Sequence, residues 1–249
     1  MKPFRPLTFL TALLLAALAL PACAQQHVTF PSGNGTGEGI LYLPHTPGPH
    51  PAIVVIHEWW GLTDWIKQEA AGYAAHGYVA LAVDLYHGKV TSDPAVALKL
   101  AQGLPQDQGV RDLVGAVRFL QARKDVNPHR IGTVGWCFGG GYALQLAIAD
   151  PSVKAAAINY GRLTTDTTDL KRIHAALLGN FGGLDRGIPP SAVHAFVDSL
   201  HSVGKSIDVK VYPDANHAFE NPYDTKVYRA KDSADALARI DRFFAAHLQ

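Results

Sequence analysis

Arg130-Ile131-Gly132-Thr133-Val134-Gly135-Trp136-Cys137-Phe138-Gly139-Gly140-Gly141 decides how the rest of the chain is read. A short apolar, β-branched run ends in Gly-x-Cys-x-Gly-Gly, and a helix-like pattern over residues 142–149 follows at once. Strand, sharp turn and helix in that order form the context of a nucleophile elbow, with sulfur where such turns usually carry a serine hydroxyl. The glycines have a physical reason. On so tight a turn a β-carbon at Gly135 or Gly139 would strike neighbouring backbone, and glycine tolerates unusual φ/ψ. The following helix aims unpaired N–H groups and its positive dipole end at the sulfur, which favours a thiolate. A buried, inert cysteine in a glycine-rich connection would read the same way, so the partners of Cys137 must decide.

Outward from that turn, apolar strands alternate with helical patterns. Two short strands are expected over residues 25–31 and 39–43, joined by the glycine-rich stretch Gly33-Asn34-Gly35-Thr36-Gly37. Residues 51–57 form a continuous apolar run, typical of a strand buried on both faces of a parallel sheet. Thr63 or Asp64 caps a helix to residue 75, and a second buried strand covers residues 78–83. Asp93-Pro94 opens another helix, and residues 106–124 keep a helical period through Val110, Leu113, Val117 and Leu120. Beyond the elbow, strands are expected over residues 153–160, 175–180 and 207–212. A helix opening at Pro189 or Pro190 runs to residue 200, and a final amphipathic one covers about 224–248. The pattern predicts one doubly wound α/β domain over residues 25–249, its mostly parallel sheet covered by helices on both faces.

Residues 1–24 are set apart. A basic start with Lys2 and Arg5, a short apolar run and the Ala22-Cys23-Ala24 site describe a secretory signal peptide. The mature chain is then expected to be exported, periplasmic or secreted. Leu20-Pro21-Ala22-Cys23 also resembles a lipoprotein box, and membrane association is expected only if Cys23 is lipidated. Of the two cysteines, cleavage after Ala24 leaves Cys137 alone, so no internal disulfide is expected. The net charge of +1 and the lack of a basic stripe argue against nucleic acid as a partner. The histidines lack the spacings of a zinc site, and neither metal nor organic cofactor is expected. A monomer is the expected state.

In open α/β sheets the ligand site lies beyond the carboxyl ends of the strands. Glu58, Asp84, Cys137, Asp185 and His217 each follow a strand, which predicts that they meet at one edge. Nucleophile, acid and histidine occur in the order of α/β-hydrolase triads. Among twelve histidines, His217 alone lies in the loop where such a fold places its general base. Asp185 is the candidate to fix the imidazole tautomer, although a carboxylate among glycines often only caps a turn. Asp166 and Asp169 are its rivals, but they precede the strand. Glu58, beside two tryptophans after a buried strand, is expected to have a raised pKa if it faces an apolar pocket. The backbone N–H groups of Trp59 and Phe138 are the candidate oxyanion donors.

These residues resemble the dienelactone hydrolase family of the α/β-hydrolase fold. The resemblance rests on His57-Glu58-Trp59-Trp60-Gly61, Asp84-Leu85-Tyr86, Gly135-Trp136-Cys137-Phe138-Gly139-Gly140, the Asp185 loop and Tyr212-Pro213-Asp214-Ala215-Asn216-His217-Ala218-Phe219. It implies a Cys137–His217–Asp185 triad acting on small carboxylic esters or lactones. It also implies that Glu58 interacts with Cys137 and keeps the thiol neutral until substrate arrives. Members that cleave dienelactone hold the substrate carboxylate with two arginines, where this chain has Gly88 and Asn221. Trp60, Tyr86, Lys89 and Arg162 are the remaining candidates for the substrate pocket. The rival reading is a non-catalytic binding protein on a hydrolase fold. Thiol–redox work by Cys137 lacks a nearby resolving cysteine.

Overall fold

A computed structural model describes residues 24–249. The segment read as a signal peptide, with Cys23, lies outside the described residues. Eight strands form one sheet in the order β1-β2-β4-β3-β5-β6-β7-β8. The antiparallel part comprises β1 (Ala24–Ser32), β2 (Gly35–Leu43) and the pairing of β2 with β4 (Val79–Val83). All other pairings are parallel, through β3 (His50–Ile56), β5 (Val126–Trp136), β6 (Val153–Asn159), β7 (Ala176–Gly182) and β8 (Asp208–Tyr212). The helices are α1 (Asp64–Ala75), α2 (Pro94–Gly103), α3 (Gln106–Gln121), α4 (Phe138–Ala149), α5 (Thr167–Lys171), α6 (Pro190–Ser202) and α7 (Ala230–Leu248).

The apolar run of β3 explains why both faces are covered. Ala52 to Ile56 are fully buried, and alternate side chains enter different layers. Ile53 and Val55 pack in one layer with Trp65 and Ile66 of α1 and Ile240 and Phe244 of α7. Val54 and Ile56 pack in the other with Leu113, Val117 and Leu120 of α3 and Tyr142 of α4. Further along the sheet, Ala156 and Ile158 of β6 meet Leu170, Phe196 and Leu200 of α5 and α6.

Among the boundaries that differ from the sequence reading, three have a clear tertiary reason. The first hairpin turns through Gly33 and Asn34 alone, because Gly35 and Gly37 pair with Ser32 and Phe30 in the ladder. A β-carbon on Gly37 would lie 2.3 Å from the Phe30 ring, so this glycine makes room for an aromatic rather than for a turn. Helix α4 begins at Phe138, not at Tyr142, and takes the three glycines into its first turn. Close packing outweighs their poor helix propensity. Helix α7 begins at Ala230 rather than near Asp224, since Arg229 N–H is drawn back to the Phe219 carbonyl at 3.0 Å.

Parallel strands place their carboxyl ends on one edge. There the loop after β3 and the turn after β5 adjoin, because β3 and β5 are neighbours in the sheet. The two elements meet with almost no spare room. A β-carbon on Gly139 would lie 2.3 Å from the Ile56 carbonyl oxygen, and one on Gly135 2.1 Å from that of Gly139. These are backbone atoms, which cannot swing aside as a flexible side chain does. Gly135→Ala is therefore expected to destabilise the protein by at least about 2–3 kcal/mol, read as a lower urea midpoint with an unchanged m-value.

Candidate active site

The turn after β5 is strained at the cysteine, not at the glycines. Cys137 has φ 54° and ψ −116°, in a region that residues with a β-carbon rarely enter. Such a conformation costs on the order of 1–3 kcal/mol and persists only where the surroundings enforce it. Enforcement is visible. Cys137 N–H donates to the Asn159 carbonyl at 3.0 Å, and the Cys137 carbonyl accepts from Gly141 N–H at 3.2 Å. The Asn159 side-chain amide donates to the Gly135 carbonyl at 3.1 Å and accepts from Asn180 Nδ2 at 2.9 Å. Asn159 thus holds the turn on both sides of its sulfur-bearing residue.

The loops after β7 and β8 bring the other two groups. Gly183 N–H donates to the Tyr212 carbonyl and Leu184 N–H to that of Ala215, at 2.7 and 2.9 Å, which stitches the loops together. Asp185 Oδ1 accepts from the N–H groups of Gly187 and Ile188 at 2.8 and 3.0 Å. Its Oδ2 is left for His217 Nδ1 at 2.6 Å. His217 Nε2 stands 3.0 Å from Cys137 Sγ. Thiol, imidazole and carboxylate therefore form one hydrogen-bonded line across three loops.

The electrostatics follow from partial burial. Burial alone would lower the pKa of His217, but its bonds to Asp185 and Cys137 raise it to about 10. Burial would raise that of Asp185, and the bonds from His217 and from the Ile188 and Gly187 N–H groups bring it below the usual value. The Tyr160 ring meets the imidazole edge-on at 5.1 Å between centroids. Tyr160 and Ala218 also have positive φ, 37° and 61°, as does His87 at 51° in the loop after β4, so four strained residues lie in the loops of this edge.

Glu58 differs from the expectation. Its Oε2 accepts from Asn221 Nδ2 at 2.7 Å, and no hydrogen bond joins it to Cys137 among the described residues. The Asn221 amide supplies the donor, and the sulfur is taken up by His217 instead. The carboxylate is 2% exposed, and burial raises its pKa to about 7 despite the opposing Asn221 bond and His217 charge. His57 fixes this loop. Its Nδ1 lies 2.5 Å from the Glu58 carbonyl, while Nε2 accepts from Leu85 N–H at 3.2 Å. Burial lowers the pKa of His57, which makes it a neutral structural group.

The other sequence candidates separate. Phe138 N–H is the first of α4, has no carbonyl one turn back within the helix, and has no hydrogen-bond acceptor among the described residues. Trp59 N–H, in the Glu58 loop, likewise has no hydrogen-bond acceptor among the described residues. Trp60 lines a cavity of about 720 Å³ with Asn221 and Tyr223. Tyr86 is buried against His57 and Phe138, at 4.8 and 5.6 Å between ring centroids. Arg162 lines a different cavity, of about 560 Å³, with Phe138, Tyr142 and Gln145. The Lys89 side chain is exposed and lines neither. Asp84 accepts from the N–H groups of Tyr86 and Gly88 and shapes that turn. Asp166 caps α5 and Asp169 pairs with Arg172, which removes both as rivals of Asp185.

The sequence reading missed Asn159, Asn180 and Glu220. The two asparagines each interrupt an apolar strand near its carboxyl end, a signal open to view. Glu220 had none. It is 1% exposed, accepts from Trp136 Nε1 at 2.9 Å, and its other oxygen has no hydrogen-bond partner among the described residues. Burial pushes its pKa well above the usual carboxylate value. Among the described residues no cluster of His, Cys, Asp and Glu is arranged to hold a metal ion.

Comparison with known proteins gives the family and the fold. Residues 38–248 match the model of the "Dienelactone hydrolase family". A "Putative carboxymethylenebutenolidase" of Methylorubrum extorquens is 32% identical over 231 residues, covering 87% of this chain and 79% of that one. A crystal structure of a "Putative Dienelactone Hydrolase" from Klebsiella pneumoniae superposes with a TM-score of 0.83 at 26% identity, covering 91% of this chain and 100% of the other. A "Dienelactone Hydrolase-like Promiscuous" phosphotriesterase from metagenomic libraries shares the fold, with a TM-score of 0.85 at 24% identity over 92% of this chain and 100% of that one. The fold is that of the α/β-hydrolases.

The buried Glu58 has a consequence for stability. Its folded pKa of about 7 lies above the ordinary 4.5, so between those values the folded state binds more protons than the unfolded one. Stability from this residue is therefore lost as pH rises from about 4.5 through 7. Glu58→Gln keeps an acceptor for Asn221 and removes the charge. It is expected to be more stable than wild type at pH 8 by up to about 3 kcal/mol, with the gain vanishing near pH 4.5. Urea midpoints at the two pH values give the comparison.

Proposed function

Because the chain belongs to the dienelactone hydrolase family, we propose that it cleaves small carboxylic esters or lactones through an acyl-enzyme on Cys137. Membership makes it a hydrolase of the ester and lactone class. The observation that carries the cysteine mechanism is the Sγ–Nε2 distance of 3.0 Å in line with the Nδ1–Oδ2 distance of 2.6 Å. That is the reach a base needs to take a nucleophile's proton while a third group fixes its tautomer.

In this reading the Cys137 proton passes to His217, and Sγ attacks the substrate carbonyl carbon. The carbonyl oxygen takes the displaced electron pair and lies between the N–H groups of Phe138 and Trp59. Each such donor is worth roughly 2.7–4 kcal/mol of barrier. Collapse of the tetrahedral adduct expels the alkoxide, which leaves with the proton from His217. In the adduct the sulfur is bonded to carbon, and the Asp185 carboxylate at 2.6 Å holds the proton on His217 until the alkoxide, a stronger base, takes it. Water then gives a proton to His217 and attacks the thioester, releasing the acid and restoring the thiol. Asp185 holds the imidazole through both halves.

The N-terminal sequence, with Lys2, Arg5, an apolar run and an Ala22-x-Ala24 site, supports an exported enzyme. Proteolytic mapping of the mature N-terminus in the producing cell would decide between cleavage after Ala24 and a lipidated Cys23.

Cys137→Ala is expected to abolish hydrolysis of p-nitrophenyl acetate, and iodoacetamide to inactivate the wild type in proportion to thiol modified. Activity that survives Cys137→Ala would overturn the nucleophile assignment. Asp185→Asn is expected to lower kcat on the order of 10³–10⁴-fold, since the imidazole loses its orienting carboxylate.

A further inference from the structure

The cavity of about 720 Å³ lies on the same edge as Cys137, yet its walls take nothing from the cysteine or aspartate loops and only Asn221, Tyr223 and Asp224 from the far part of the histidine loop. Its lining comes from the loop after β3, the start of α1, the loop after β4 and the segment before α7. Trp60, Leu62, Trp65, Val90 and Tyr223 supply its apolar surface. Two of these are large apolar side chains left open to solvent, Val90 at 52% and Tyr223 at 66% exposure. Solvent-facing apolar groups around a concavity of this volume suit a small-molecule subsite. Trp60 directly follows Trp59, whose N–H faces the developing oxyanion in the proposed reaction. Asn221 joins the lining to that same loop through its 2.7 Å bond to Glu58.

The charges on its walls select the occupant. The cation in the lining, Lys67, is tied to Asp64 at 3.0 Å. Asp224 adds a carboxylate without a cationic partner among the described residues. At the inner wall, both ends of the Asn221 amide are committed: Nδ2 donates to Glu58 and Oδ1 accepts from Tyr223 N–H at 2.9 Å. Behind it stands Glu58, with no guanidinium or ammonium group bonded to it. An entering carboxylate would exchange its hydration for the hydroxyls of Thr63, Thr91 and Ser92 and a Lys67 already paired with Asp64, against the like charge of Asp224, which is unfavourable.

We propose that this cavity is a specificity subsite for the larger substituent of an uncharged, aromatic-sized ester or lactone, and that it excludes substrates bearing a carboxylate on that substituent. The assignment rests on the ester-hydrolase reading and narrows it to a substrate class. Arg162 lines the separate cavity of about 560 Å³ with Phe138 and is not among the residues of this one.

Binding without turnover tests the subsite. In the Cys137→Ala protein, tryptophan fluorescence reports occupancy next to Trp60 and Trp65 while the ester stays intact. Methyl 3-phenylpropanoate or 2-phenylethyl acetate, which carry the ring on opposite sides of the ester, is expected to bind at least tenfold tighter than monomethyl glutarate at pH 7.5. Tyr223→Ala and Val90→Ser, both at exposed positions, are each expected to weaken the better aryl ester at least threefold. Asp224→Lys should narrow the gap to monomethyl glutarate. Glutarate binding as tight as the aryl esters, or aryl binding indifferent to both rim substitutions, would overturn the proposal, as would no binding by any probe. Since no step here depends on catalysis, an inactive wild type would refute the hydrolase mechanism separately.

Discussion

The bond from Cys137 N–H to the Asn159 carbonyl is the constraint on which the site depends. A left-handed φ at a residue with a β-carbon reverts to an ordinary conformation unless its neighbours hold it. Here β6 does the holding, because Asn159 extends the parallel ladder one residue past Trp136 and also bonds back to Gly135. Each such hydrogen bond contributes about 1 kcal/mol net, so two or three together match the local strain. The glycines serve the same end by another route. They let β3, β5 and α4 approach until backbone touches backbone, which leaves the sulfur standing proud of the turn at the helix N-terminus.

Around that turn the acids are sorted by environment. Asp185 accepts two backbone N–H bonds and an imidazole proton and stays ionised. Glu58 accepts one amide bond in a nearly dry place, and its pKa rises to about 7. Glu220 accepts one indole bond, leaves an oxygen unpartnered, and is held in the neutral form more firmly still. Trp136, which bonds Glu220, immediately precedes Cys137, so the neutral acid packs beneath the elbow without placing charge next to the sulfur. Three carboxyl groups at one sheet edge thus differ by what donates to each. Asp185 carries the charge beside the histidine, and among the described residues no cation bonds to the wall at Asn221.

The fold was legible in the sequence because its signals are local. Continuous apolar runs such as residues 51–57 mark strands covered on both faces, and Asp93-Pro94 marks a helix start that the structure reproduces, with Asp93 accepting from Ala95 N–H at 2.8 Å. That Cys137, Asp185 and His217 meet was legible from loop position and chain order. Helix limits were less so. The start of α4 within a glycine run contradicts propensity, and it is set by contacts with β3 and β6 that no window of sequence contains.

What the sequence determined by itself was the alternation of strand and helix, and hence that residues after different strands converge on one edge. Periodicity and loop position are properties of adjacent residues, and they survive without coordinates. What only the tertiary structure decided was who partners whom within that edge. Glu58 lies 163 positions from Asn221, and Asn159 lies 21 from Asn180. Hydrogen bonds of 2.7 and 2.9 Å depend on side-chain direction and loop closure, to which spacing along the chain is blind. For that reason the sequence could name a buried acid at position 58, while the fold alone assigned it to an amide instead of the sulfur.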